Sequence, residues 1–184
     1  SGSINPWPNE GINEVVIPPM PIPNCAGLAN RGSEVINSAG EYTLYPGIYG
    51  HIVVTNSSAE VKLKPGMYCI TGNKGFTSSG GILLGDGVLI FMQNGNFDVG
   101  GDAVVKLFAP TNLLDGSGNQ WGGMLIYMDP KNTGIIHVSG STDSAYVGTI
   151  YAPTPTKPAS GTKCFLGGTG EVIDIRSQVI CYSI

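Results

Sequence analysis

Short apolar runs, broken at close intervals by glycine, constrain this chain more than any other feature. The runs cover residues 52–55, 61–63, 82–84, 88–92, 104–108, 124–128, 135–138, 147–151, 172–175 and 179–182. They are rich in β-branched and aromatic side chains, with Gly, Pro or Asn between them, which is the signature of short strands joined by turns. Almost no window offers apolar residues at i, i+3, i+4 and i+7 without an intervening Gly or Pro, so helices are excluded. The 28 glycines follow no G-X-Y period and form no Gly/Ser tract, which removes collagen and flexible linkers. The chain reads as all-β.

Repetition narrows the architecture. Pro46-Gly47-Ile48-Tyr49 recurs 19 residues later as Pro65-Gly66-Met67-Tyr68, and Lys106-Leu107-Phe108-Ala109-Pro110 is echoed by Thr149-Ile150-Tyr151-Ala152-Pro153. Taking Gly47, Gly66, Gly87, Ala103, Gly123, Gly148 and Glu171 as the residues before successive strands gives steps of 19, 21, 16, 20, 25 and 23 residues. A step near 20 is one coil of a β-solenoid, in which each coil buries its inner face only by stacking on its neighbours. The expected fold is a single-stranded parallel β-helix of about six short coils. Gly supplies positive φ at the corners, and Asn56, Asn73, Asn94, Asn96 and Asn119 are expected to do so less readily. The pairs Gly80-Gly81, Gly100-Gly101, Gly122-Gly123 and Gly167-Gly168 read as corners, since no helix follows to receive a phosphate. A β-sandwich of antiparallel hairpins is the alternative, although only Asn94-Gly95 resembles a two-residue hairpin turn.

Charge limits what the chain binds. Nine basic and 13 acidic residues give a net charge of -4, and no run of basic residues is present to release counterions from nucleic acid. No apolar run approaches the roughly 18 residues of a membrane-spanning helix. Residues 1–24 carry six prolines and read as an extended segment leading into a solenoid domain at 25–184; without a basic stretch followed by an apolar one, this lead is not a signal peptide, so the chain reads as a fragment or mature form. Segment 34–45 is expected to cap the first coil, and 112–120 and 154–162 to be excursions from the coil.

The four cysteines form no C-x-x-C pair and lie far in sequence from His51 and His137, which argues for disulfides over a metal site. Of the three possible connectivities the favoured one joins Cys25 to Cys69, pinning the lead to an early coil, and Cys164 to Cys181, closing the last. Asp98 and Asp102, flanking Gly100-Gly101, are the pair of carboxylates that polysaccharide chemistry would use; Asp86, Asp115 and these two read more economically as turn residues bonding their own backbone. Trp121, in a polar loop, is the candidate for an exposed contact. Tyr49, Tyr68, Phe91, Phe108, Tyr127 and Tyr151 recur within strands and are expected to form an aligned stack. Neither a catalytic residue nor a cofactor is assigned.

With these residues in view, the chain resembles the β-solenoid region of bacterial TadG-like proteins of tight-adherence (Flp-type) pilus assembly. The resemblance spans most of 18–184. It rests on Ile22-Pro23-Asn24-Cys25, the two Pro-Gly-x-Tyr motifs, Gly85-Asp86-Gly87-Val88, the stretch from Ala103 to Thr111, Gly123-Met124-Leu125-Ile126-Tyr127 followed by Asp129, and Gly148-Thr149-Ile150-Tyr151-Ala152-Pro153. It implies a non-enzymatic module, extracellular, on the cell surface or in the periplasm, whose partners are other envelope or pilus proteins. The alternative is a β-helix that binds or degrades polysaccharide. Self-stacking through the apolar C-terminal strand is a further expectation.

Overall fold

The computed structural model describes residues 20–141, 143–153, 164–167 and 174–181; most of the proline-rich lead and the excursion at 154–162 lie outside these. Seventeen strands follow one another: β1 (Asn30–Ile36), β2 (Gly40–Leu44), β3 (Gly47–Val54), β4 (Ala59–Leu63), β5 (Gly66–Ile70), β6 (Phe76–Ser78), β7 (Ile82–Asp86), β8 (Val88–Met92), β9 (Phe97–Val99), β10 (Val104–Phe108), β11 (Met124–Met128), β12 (Ile136–Val138), β13 (Ala145–Val147), β14 (Thr149–Ala152), β15 (Cys164–Leu166), β16 (Asp174–Arg176) and β17 (Val179–Cys181). The described residues contain no helix.

From β5 onward each strand pairs with the one three places further along the chain. Thus β5, β8, β11, β14 and β17 form one ladder, β6, β9, β12 and β15 a second, and β7, β10, β13 and β16 a third that β4 and β2 extend. The eight-residue β3 turns a corner, pairing through residues 47–49 with β5 and through 52–54 with β6. Every ladder is parallel. This connectivity is consistent with a parallel β-helix and incompatible with a sandwich of hairpins, which needs antiparallel neighbours. Segment 34–45, expected as a cap, forms the end of β1 and all of β2.

The ladders correct the inferred repeat. Strands of the first ladder, counted from β3, begin 19, 22, 36, 25 and 30 residues apart. The strand after Ala103 is β10, which belongs to the third ladder, so the echo between 106–110 and 149–153 joins two different faces. A five-residue apolar run bounded by glycine has the same local pattern on any face, which is why spacing alone merged them.

Inward side chains of all three ladders meet in one core that includes Ile52, Phe76, Leu83, Ile90, Phe97, Val105, Leu125 and Tyr146. Strands β4, β6, β9 and β12 alternate buried and half-buried residues, the pattern of a sheet with one wet face, whereas β8 and β11 are buried at every position. This difference divides the expected aromatic stack. Tyr49 and Tyr68 stack inside the core with centroids 6.0 Å apart. Phe91, Tyr127 and Tyr151 sit one register position over and point outward, with centroid separations of 5.6 and 5.0 Å. Phe108 stands apart, exposed on the third face.

At the corners the second glycine of each described pair, Gly81, Gly101 and Gly123, has positive φ, as do Gly66, Gly87 and Gly148 before strands of the repeat. The asparagines behave differently from expectation. Asp143 is the non-glycine residue with positive φ among the described residues, and the asparagines act through their side chains. Asn56 accepts from the Ser58 N–H at 2.8 Å, Asn94 from the Gly95 N–H at 2.9 Å and Asn96 from the Ile135 N–H at 3.0 Å. A side-chain acceptor satisfies a corner N–H without requiring the left-handed backbone.

Candidate functional site

Among the described residues, the outer side of the first ladder is the one covered face. Met67, Cys69, Leu89, Phe91, Met124, Tyr127 and Tyr151 form a second apolar cluster there, with Met20, Cys25, Leu28 and Leu113 packed against it from the entering chain and from the excursion between β10 and β11. Trp121 closes the cover. It is 1% exposed and meets Tyr127 edge-on at 5.5 Å, which overturns its expected role as an exposed contact. A large aromatic in a polar loop reads as exposed until its apolar partner is known. Cys25 and Cys69 are bonded with Cα atoms 6.4 Å apart, as are Cys164 and Cys181 at 6.2 Å, so both favoured pairings hold. Each link removes loop entropy from the unfolded chain.

Asp115 organises the cover. Its Oδ1 accepts from the backbone N–H groups of Ser117 at 2.8 Å and Asn119 at 3.0 Å; its Oδ2 accepts from the Trp121 indole N–H at 3.0 Å, the Asn24 backbone N–H at 3.0 Å and the Asn119 amide at 3.1 Å. The local bonds match the turn role read from sequence. The bond to Asn24, 91 residues away, does not, and it ties the lead to the excursion. Burial raises the carboxyl pKa, but the donors from Trp121, Asn119 and Asn24 more than offset it and hold it well below the usual carboxylate range. The folded-state value thus lies below the unfolded one of about 3.9, so the stabilisation by Asp115 is fully present above that pH and is lost as pH falls from there through the lower folded-state value. Asp115→Asn is expected to cost about 2 kcal/mol at pH 7 and to flatten the decline of thermal stability from about pH 5 down to about pH 2, a comparison that melting curves check directly.

One group under the cover is unsatisfied. The Tyr127 hydroxyl is fully buried with no hydrogen-bond partner among the described residues, and burial together with nearby Tyr151 and Asp129 pushes its pKa up. Tyr127→Phe removes that buried oxygen while keeping the ring, and is expected to raise stability by about 1 kcal/mol in denaturant unfolding.

Among the described residues, the second ladder leaves its outer side open. Thr77, Asp98, His137 and Phe165 occupy matched register positions on β6, β9, β12 and β15. His137 Nδ1 lies 2.8 Å from Asp98 Oδ1; since the carboxylate accepts, Nδ1 carries the proton and Nε2 is left out of that bond. The Phe165 ring meets the imidazole edge-on at 6.4 Å and is half-exposed. Beside the pair lies a shallow cleft of about 170 Å³ lined by Thr55, Thr77, Ser79, Asp98, Gly100 and His137, among others. Gly100 leaves room there: a Cβ at this position would push the Ser139 hydroxyl aside and touch His137 Cε1 at 3.4 Å.

The two carboxylates singled out from sequence therefore part company. Asp98 lines the cleft; Asp102 is exposed in the turn before β10 and does not. Sequence reading missed His137, Thr77 and Phe165. The available signal was the three-residue pattern of a polar or outward residue between two inward ones, as in Phe76-Thr77-Ser78, Phe97-Asp98-Val99 and Ile136-His137-Val138. As a half-exposed cross-strand pair, Asp98 and His137 contribute roughly 0.2–1 kcal/mol to pairing. Chemically they offer an acceptor and an imidazole to a hydroxyl-bearing molecule at the sheet surface.

No protein-family model, curated protein or solved structure matches the chain.

Proposed function

We propose that the chain is a non-enzymatic structural or adhesive module acting outside the cytoplasm, a rod of about six coils that meets other envelope or pilus proteins through its open faces. The observation that carries this reading is the pair of disulfides, which belong to an oxidising compartment. Three features agree with it. The parallel ladders enclose one shared apolar core. Asp98 is engaged by His137 while Asp102 lies away from the cleft, so the two-carboxylate arrangement of glycoside hydrolysis is not assembled from the pair found in sequence. The ordered motifs resembling TadG-like proteins point to tight-adherence pili, and among the described residues no helix is long and apolar enough to cross a membrane.

Labelling intact cells with a membrane-impermeant reagent tests the location, and an adhesion assay on a deletion strain tests the role. Labelling before lysis, two intact disulfides and reduced attachment are expected. Four free thiols in native material would remove the extracytoplasmic reading, and release of reducing ends from polysaccharide that disappears in Asp98→Asn would remove the non-enzymatic one.

A further inference from the structure

The third face carries a charge pattern that the chain as a whole does not. Three of its nine basic residues, Lys62, Lys64 and Lys106, line one groove of about 410 Å³, together with Leu84, Asp86 and Phe108. Lys62 on β4, Leu84 on β7 and Lys106 on β10 are direct register partners. With strands about 4.8 Å apart, the two lysine backbones lie roughly 9.6 Å from each other with Leu84 between them. Lys62 is held by Glu60 at 2.8 Å and Glu41 at 3.1 Å. Lys64 and Lys106 have no carboxylate within ion-pair distance among the described residues, so their charge is free to meet a ligand's. Phe108, two residues beyond Lys106 on the same outward side of β10, exposes its ring at the groove, and Ile82 is exposed on the same side of β7.

We propose that this groove binds an acidic polysaccharide, a chain of sugar units bearing ring carboxylates. Such a polymer supplies what each lining group lacks: carboxylates for Lys64 and Lys106, a C–H sugar face for Phe108 and Leu84, and hydroxyl donors for Asp86. A polyphosphate satisfies only the lysines, since it offers neither a C–H face to Phe108 and Leu84 nor a hydroxyl to Asp86. The groove also falls in the size range of ligand sites. The proposal deepens the adhesive reading, on which it rests for its biological setting, by naming what the module adheres to.

Affinity electrophoresis through gels containing alginate, with dextran and polyphosphate gels as comparisons, tests it on the whole chain. Retardation in alginate is expected, weakening as ionic strength rises from about 0.05 to 0.5 M, with dextran inert and polyphosphate weaker. The double variant Lys64→Ala/Lys106→Ala is expected to lose roughly tenfold in affinity, a loss of about 1.4 kcal/mol, and Phe108→Ala to weaken alginate binding while its melting temperature shows it folded. The control Lys74→Ala/Lys131→Ala, with the same change in net charge outside the groove, is expected to stay within about twofold of the unchanged chain. No retardation in alginate, equal losses in both double variants, or polyphosphate binding as tight as alginate overturns the proposal. Failure to bind alginate by a protein that is labelled on intact cells overturns the groove alone, whereas alginate binding by a protein found only inside cells overturns the location alone.

Discussion

Trp121→Ala is expected to lower the unfolding free energy by about 4 kcal/mol and the melting temperature by roughly 12 °C. The indole is the largest fully buried side chain of the cover. Its removal opens a cavity against Tyr127 and strips one donor from Asp115, which is left with the bonds from Asn24, Asn119 and Ser117. Trp121→Phe separates the two effects: it keeps most of the volume and loses the N–H, so about 1–2 kcal/mol is expected. Proteolysis supplies an independent reading, because Trp121→Ala should render the chain around residues 20–28 and 110–123 cleavable at protease levels that leave the rest intact. A loss below about 1 kcal/mol for Trp121→Ala would mean that the excursion only rests on the sheet and does not seal it.

The cover gives the three faces different roles. The first ladder is apolar on both sides and would be a patch for association if bare; the entering chain, the Cys25–Cys69 bond and the Asp115 cluster spend it internally. Among the described residues the second and third faces stay open, with the Asp98–His137 cleft on one and the lysine groove on the other.

What the sequence made legible follows from how local each signal is. The five-residue runs that became β8, β10 and β11 are legible with their ends, since each is apolar throughout or nearly so and is set off by a flanking Gly87 or Gly123 or, for β10, by the turn at Gly101 and by Pro110. The three-residue strands β6, β9, β13 and β15 were missed; so short a run with one outward residue carries too little periodicity to register, and with β6, β9 and β15 went most of the ladder that sets Thr77, Asp98, His137 and Phe165 side by side. The lysine groove was invisible for another reason. Lys62 and Lys106 lie 44 positions apart in sequence, so a search for basic runs returns nothing, and only the register of β4, β7 and β10 assembles the patch. The same holds for Asp115, whose turn bonds are local and whose bond to Asn24 is not. The cysteines were easier, because a lead that enters beside an early coil and a strand that closes the last one bring the favoured pairs together in any stacked fold.

A corner glycine yields the other large effect. Gly75, at the corner between β5 and β6, has φ 71°, and a Cβ there would collide with the Asn96 carbonyl oxygen and lie 2.6 Å from the Asn96 nitrogen. The same carbonyl accepts the Phe76 N–H at 2.9 Å, so moving it aside breaks the first bond of the β6–β9 ladder. The corner below is equally tight: a Cβ on Gly95 would sit 2.5 Å from the Gly75 nitrogen. Gly75→Ala therefore combines left-handed strain of about 1–2 kcal/mol with overpacking of about 1–3 kcal/mol, and a total near 3 kcal/mol is expected. Gly123 is the control, since its φ is 81° but a Cβ on it would meet nothing within 4 Å. Gly123→Ala carries the strain without the collision and should cost about 1 kcal/mol. Denaturant unfolding of the two variants distinguishes the causes. Equal losses would mean that backbone conformation alone selects glycine at these corners, whereas the expected gap of about 2 kcal/mol places the selection in the close stacking of one coil's corner on the next.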